Sequence, residues 1–301
     1  MKTKLILTTS VMLIGGVFDL DALLNYWEFI LILFAAWVLA PNALSLLGAG
    51  VPRGYNWAVA FLALACFLKV AVETALPVWV FALGALPYLI LTTWVWLLIF
   101  IKFGQIISKS LGDWVRLFAV GYWVTAAFWV FAYLADWRPF EFDMTIVALT
   151  SAHFHLAGFI LTVAIWKQLT FRPGFLHQIF GVFSIVGMPL VAIGIVVTKL
   201  GGPGLLEMLG AAGFALFAVF VAVDQSNFAL QQDVPVGARR FLIAGAVSLV
   251  LGMALAGGYA LRFVMPIEVL NIPNMKWLHG TLNTFGFALL TLHGWKQFPP
   301  E

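Results

Sequence analysis

Five histidines stand in a chain of 301 residues, and two of them lie in Thr150-Ser151-Ala152-His153-Phe154-His155-Leu156-Ala157-Gly158-Phe159. A neutral imidazole can ligate a metal ion, exchange a proton or hydrogen-bond a neighbour. Inside an apolar helix such a group is costly, which makes it a functional-site hypothesis. At roughly 100° per residue, positions 153 and 155 point about 200° apart, so each histidine needs a partner of its own. The third candidate is His279, in Trp277-Leu278-His279-Gly280-Thr281-Leu282-Asn283-Thr284-Phe285-Gly286-Phe287. Steps of four and three place His279, Asn283, Gly286, Leu290 and His293 on one stripe, which must face protein or water. Counted back from Trp166 and Trp295, His153 and His279 differ in depth by about 4 to 5 Å, so neighbouring helices would bring them together. The expected site has His153, His155 and His279 as metal ligands or acid-base groups. His155, Asn283 and an outer carboxylate such as Glu207 are the expected catalytic groups. Ligation needs neutral imidazoles, so binding should weaken as pH falls through the ordinary histidine range, about 6 to 7.

The elements that must position these groups follow from composition. The chain is 63% hydrophobic and only 10% charged, with a mean hydropathy of +1.03. Its 16 basic and 13 acidic residues cannot coat a large soluble core, so an all-α polytopic membrane protein is expected. No basic stripe suggests nucleic acid, and membrane lipids with a lipidic or small-molecule substrate are the expected partners. Cys66 is the lone cysteine, which excludes an internal disulfide and any cysteine-rich metal site. Apolar runs predict about ten helices, at 3–18, 24–48, 56–75, 77–101, 112–135, 144–167, 176–199, 204–224, 238–262 and 274–296. They form one membrane domain over 1–301, whose longest polar connection is expected from Asp224 to Arg240. Pro41 and Pro189 should kink their helices, whereas Pro52, Pro139, Pro173, Pro203 and Pro235 fall in connections. The helices at 144–167 and 274–296 should lie near the centre, because their polar stripes would be unsatisfied against lipid.

With the amino terminus placed in the cytoplasm, five cations fall outside: Lys69, Arg138, Lys199, Arg262 and Lys276. The other eleven fall inside, so the positive-inside rule favours a cell-membrane protein with both termini cytoplasmic. Glu28, Glu73, Asp136, Glu141, Asp143, Glu207 and Glu268 then gather in the outer half with His153, His155 and His279. His177 and His293 near the inner surface read more simply as interfacial residues. The central histidines, with Ser151, Thr162 and Asn283, have an equally plain alternative as polar contacts between helices. Trp114, Trp137, Trp166, Trp277 and Trp295, near helix ends, read as interface anchors. An internal echo joins Gly158-Phe159 and Trp166-Lys167-Gln168 to Gly286-Phe287 and Trp295-Lys296-Gln297.

Through His153-Phe154-His155-x-x-Gly158-Phe159 and His279-Gly280-x-x-Asn283-x-x-Gly286-Phe287, the second half of the chain resembles the YndJ-like family of bacterial membrane proteins. That resemblance implies a membrane architecture and no particular activity. Ala152-His153-Phe154-His155 is also similar to the helix of haem-copper oxidase subunit I that ligates two haems. It would imply axial roles for His153 and His155, but the copper-binding histidines of that family have no counterpart here. Three function classes follow: a metal-dependent membrane enzyme with a histidine-centred site, a proton-linked transporter, and a b-type haem redox protein using His279 and His293.

Overall fold

A computed structural model describes residues 26–298, and the helix expected at 3–18 lies outside them. Nine long helices stand among the described residues, and each matches one predicted apolar run. They are α1 (Trp27–Leu46), α2 (Tyr55–Val72), α3 (Val78–Gln105), α4 (Leu111–Leu134), α5 (Met144–Phe171), α6 (Phe175–Lys199), α7 (Gly204–Ala229), α8 (Val236–Ala260) and α9 (residues 272–295). Local chemistry fixes several starts. Ser110 and Asp113 form a reciprocal capping box on α4, Asp143 accepts from Ile146 N at 3.0 Å on α5, and Asn271 accepts from Asn274 N at 3.0 Å on α9. Short connections make successive helices antiparallel, so α1, α3, α5, α7 and α9 all begin at one face, called upper here.

Three of these parallel helices pack on one another; α5 lies deep in the bundle as expected, whereas the upper half of α9 buries only Gly280 and lies nearer the surface. The upper half of α1 touches those of α5 and α9, which meet each other through His153 and His279, and the three lower halves touch one another. In α5, 72% of the most apolar window is buried, against 22% in α3, so α5 is the inner helix and α3 a peripheral one. Each of the three is interrupted at mid-length by a π-helical turn: Ala35–Leu39 in α1, Phe154–Ile160 in α5 and Leu282–Ala288 in α9. The turn of α5 contacts both of the others. Pro41 follows the turn in α1; it lacks an N–H and clashes with a regular preceding turn, which gives that interruption a local cause. Gly158 and Gly286 occupy the fifth place of the other two turns. A Cβ at Gly158 would come within 2.9 Å of Tyr122 Cβ, and one at Gly286 within 2.5 Å of Ser248 Cβ. These glycines let α4 and α8 lie directly against the widened turns.

Two expectations change. Helix α7 continues through Asp224 to Ala229, and α8 already contains Arg239 and Arg240, so the connection between them is only residues 230–235. Polar residues continue the helix there because Asp224 and Gln225 find partners inside the bundle. Trp295 is an interior residue and not an interface anchor, being 1% exposed and ringed by Phe171, Phe228 and Phe298. Trp114, Trp137 and Trp277 do present exposed faces near helix ends.

Candidate functional site

The 200° separation of His153 and His155 sends them to opposite sides of α5. His155 is 1% exposed and faces α3 and α4. Its Nδ1 lies 2.9 Å from Ser151 O, and because a carbonyl only accepts, Nδ1 carries the proton. Nε2 then accepts from the Tyr88 hydroxyl at 3.0 Å, while the Tyr88 oxygen accepts from Trp123 Nε1–H at 2.7 Å. Ser151 sends its own hydroxyl to Ala126 O at 2.8 Å. Every hydrogen-bonding position of this imidazole is therefore in use.

His153 turns the other way, toward α9. Its Nδ1 donates to Leu149 O at 2.7 Å, one turn earlier on α5. His279 donates from Nδ1 to Gly252 O of α8 at 2.8 Å. The same accounting leaves the lone pair of each ring on Nε2. The two rings face each other with centroids 6.1 Å apart and a tilt of 30°. Asn283 donates to His279 O at 2.8 Å, and its amide nitrogen lies 3.1 and 3.2 Å from the two ring nitrogens. Near equality of those distances places the amide across the imidazole face, as a backing for the ring. Gly252 makes this possible, since a Cβ there would meet the Asn283 amide at 3.0 Å.

His153 is exposed and His279 half-buried, so the pair opens sideways onto the bundle surface. It stands nine residues along α5 and seven along α9, about 10 to 14 Å below the upper ends at 1.5 Å per residue. That depth lies within hydrocarbon, where two imidazoles without water are costly unless they have work or partners.

The remaining groups lie elsewhere. Glu207 is ion-paired with Arg262 at the upper end of α7, and Glu28 with Lys276 at 2.8 Å between α1 and α9. Lys69 bridges Glu73 at 2.8 Å and Asp136 at 2.6 Å. Thus Glu28, Glu73, Asp136 and Glu207, four of the seven upper carboxylates, are paired with cations, and three of the five cations on that face are neutralised. His177 belongs to a separate cluster at the lower face, 3.0 Å from Asp224, which also holds Arg172 at 3.3 Å. His293 is exposed, with its ring edge against Phe241.

Of the two histidines on α5, His153 is thus the one that meets His279, while His155 is held by Tyr88 on the other side. Among the described residues, no group of three His, Cys, Asp or Glu side chains is placed to hold an ion. An ion between His153 and His279 would have two protein ligands, its other positions being left to water or substrate. Tyr88, Trp123 and the Gly252 carbonyl escaped the sequence reading. A lone phenol such as Tyr88 in an apolar run does signal a buried partner, but a backbone acceptor leaves no signature.

The model of the family described as YndJ-like protein matches residues 30–287, well beyond the second half in which the sequence resemblance was carried. The Bacillus subtilis protein named uncharacterized membrane protein YndJ is 26% identical over 183 residues, which is 60% of this chain and 32% of that protein. The matched segment thus spans about a third of that relative's length. No solved structure matches the chain significantly. With eight helices among the described residues long and apolar enough to cross a membrane, and a family match over most of its length, the chain belongs to the YndJ-like family of membrane proteins.

Proposed function

We propose that the protein is a membrane enzyme whose reactive centre is the His153–His279 pair, acting on a lipidic or small substrate that reaches it from the side of the bundle. The observation that carries this reading is the pairing itself. Two imidazoles on different helices face each other at 6.1 Å, each with Nδ1 anchored on a carbonyl and Nε2 left for chemistry. Such nitrogens can act as general base and acid toward a bound substrate. They could also hold a divalent ion, which when bound would polarise a carbonyl or activate water while keeping open positions. Asn283 backs the His279 ring and keeps it from rotating. The lateral opening suits a substrate that diffuses within the bilayer. A cell-membrane location with both termini cytoplasmic belongs to the same reading, supported by the cation count and by the pairing of Lys69, Arg262 and Lys276 with acids on the opposite face.

Purified wild-type, His279→Ala and His177→Ala proteins, reconstituted in bacterial lipid extract with and without zinc or manganese, test the reading by lipid mass spectrometry and elemental analysis. The enzyme reading expects a change in lipid composition with wild type and His177→Ala, absent with His279→Ala. Unchanged lipids in every sample would sink it.

A second reading, proton-linked transport, is favoured by the π-turns that interrupt α1, α5 and α9 at mid-length, since transporters place sites where spanning helices are broken. Its test is pH-driven uptake in proteoliposomes that disappears with His279→Ala.

A further inference from the structure

At the lower face, the ends of α1 and α9 meet around a pocket of about 190 Å³ lined by Asn42, Leu289, His293, Lys296 and Gln297. Lys296 is exposed and donates one hydrogen bond, at 2.8 Å, to Asn42 Oδ1, which leaves two N–H groups of the ammonium without a partner among the described residues. Asn42 is itself fixed by donating to Val38 O at 2.7 Å. His293 is exposed, held only by its ring contact with Phe241 at 4.4 Å, with no hydrogen bond to the described residues. Gln297 lies against Gly237 in the first turn of α8, where any side chain would collide with it. That turn adds Arg239, which donates to Gln231 O at 3.0 Å, and the exposed Arg240; the connection before it adds one exposed acid, Asp233. Among the described residues the surroundings are therefore rich in donors and net positive.

One turn deeper the lining changes to Leu289. Donors at the membrane face above an apolar floor suit an anion that carries a hydrocarbon tail, and basic pockets between spanning helices attract anionic head groups. Bare phosphate would gain nothing from the apolar floor. We propose that this pocket binds the phosphate group of an anionic phospholipid from the adjoining leaflet. Lys296 is its charged donor and His293 and Gln297 are flanking polar groups. The site is independent of the His153–His279 pair, since His293 lies 14 residues, about 21 Å, further along α9 than His279.

The test titrates purified full-length protein in neutral detergent with phosphatidylglycerol, phosphatidylcholine or inorganic phosphate, and reads bound lipid by native mass spectrometry and the melting temperature in parallel. Wild type should bind phosphatidylglycerol in preference to phosphatidylcholine. Lys296→Gln should weaken that binding about fivefold, the effect of one cation near a membrane surface. Lys296→Arg should restore it, and Lys199→Gln, at the upper face, should leave it unchanged. Equal binding of the two lipids, or equal binding by wild type and Lys296→Gln, overturns the proposal. Displacement of phosphatidylglycerol by an equal concentration of inorganic phosphate would assign the pocket to a free anion and overturn the lipid assignment.

Discussion

Helices α5 and α9 carry polar pairs at the same places relative to their π-turns. Ser151 and His155 stand three residues before and one residue after the start of the turn at Phe154; His279 and Asn283 stand likewise around Leu282. Both turns bear Gly-Phe at their fifth and sixth places, so the echo in sequence is also an echo in conformation. Yet the outcomes differ. On α5 the imidazole is enclosed by Tyr88 and Trp123 and has no free lone pair. On α9 it is braced from one side by Gly252 and Asn283 and faces His153 on the other. A buried histidine whose valences are all used stabilises the fold, whereas one with a directed, unspent nitrogen can do chemistry.

The contrast breaks most visibly at the closed site. Replacing His155 by Ala opens a cavity and leaves the Tyr88 hydroxyl without its acceptor, so unfolding in detergent should lose about 3 kcal/mol of stability. A variant as stable as wild type would show that the network holds nothing together.

The widened turns come next. Gly158→Ala and Gly286→Ala each drive a methyl group into the neighbouring helix, at Tyr122 or Ser248, and should cost about 1 to 3 kcal/mol. If thermal melts show Gly286→Ala unaffected, α8 is not pressed against the turn of α9.

A smaller loss, about 1 kcal/mol, is expected for His177→Ala, because Asp224 keeps Arg172 as a partner. Any signal that depends on His279 should survive that change; its loss would link the two ends of the bundle.

The smallest stability effect belongs to the open pair. His279 is half-buried, so His279→Ala should cost less than about 1 kcal/mol while abolishing the lipid or metal signal. A large loss of stability with the signal intact would reverse the assignment of the two histidines.

Hydrophobic run length determined the helices almost unaided, because a helix in hydrocarbon must satisfy its own backbone and needs a fixed number of apolar residues to cross. All nine predicted runs among the described residues became helices, and the capping residues Ser110, Asp143 and Asn271 stand at their starts. Helical periodicity also separated His153 from His155 and put Asn283 on the His279 stripe. What the sequence could not decide is which side of α5 meets α9, because neighbour choice in a membrane bundle depends on close approach at small residues across distant helices. Gly252 and Gly286 allow the α8–α9 contact that fixes His279, and Tyr88, 67 residues from His155, closes off the other imidazole. Carboxylates followed the same logic: nothing in the spacing of Glu207, a candidate site group, or of Glu28 foretold the ion pairs that packing gives them with Arg262 and Lys276. Sequence spacing supplies direction along one helix, but only packing between helices decides which lone pairs are left unspent.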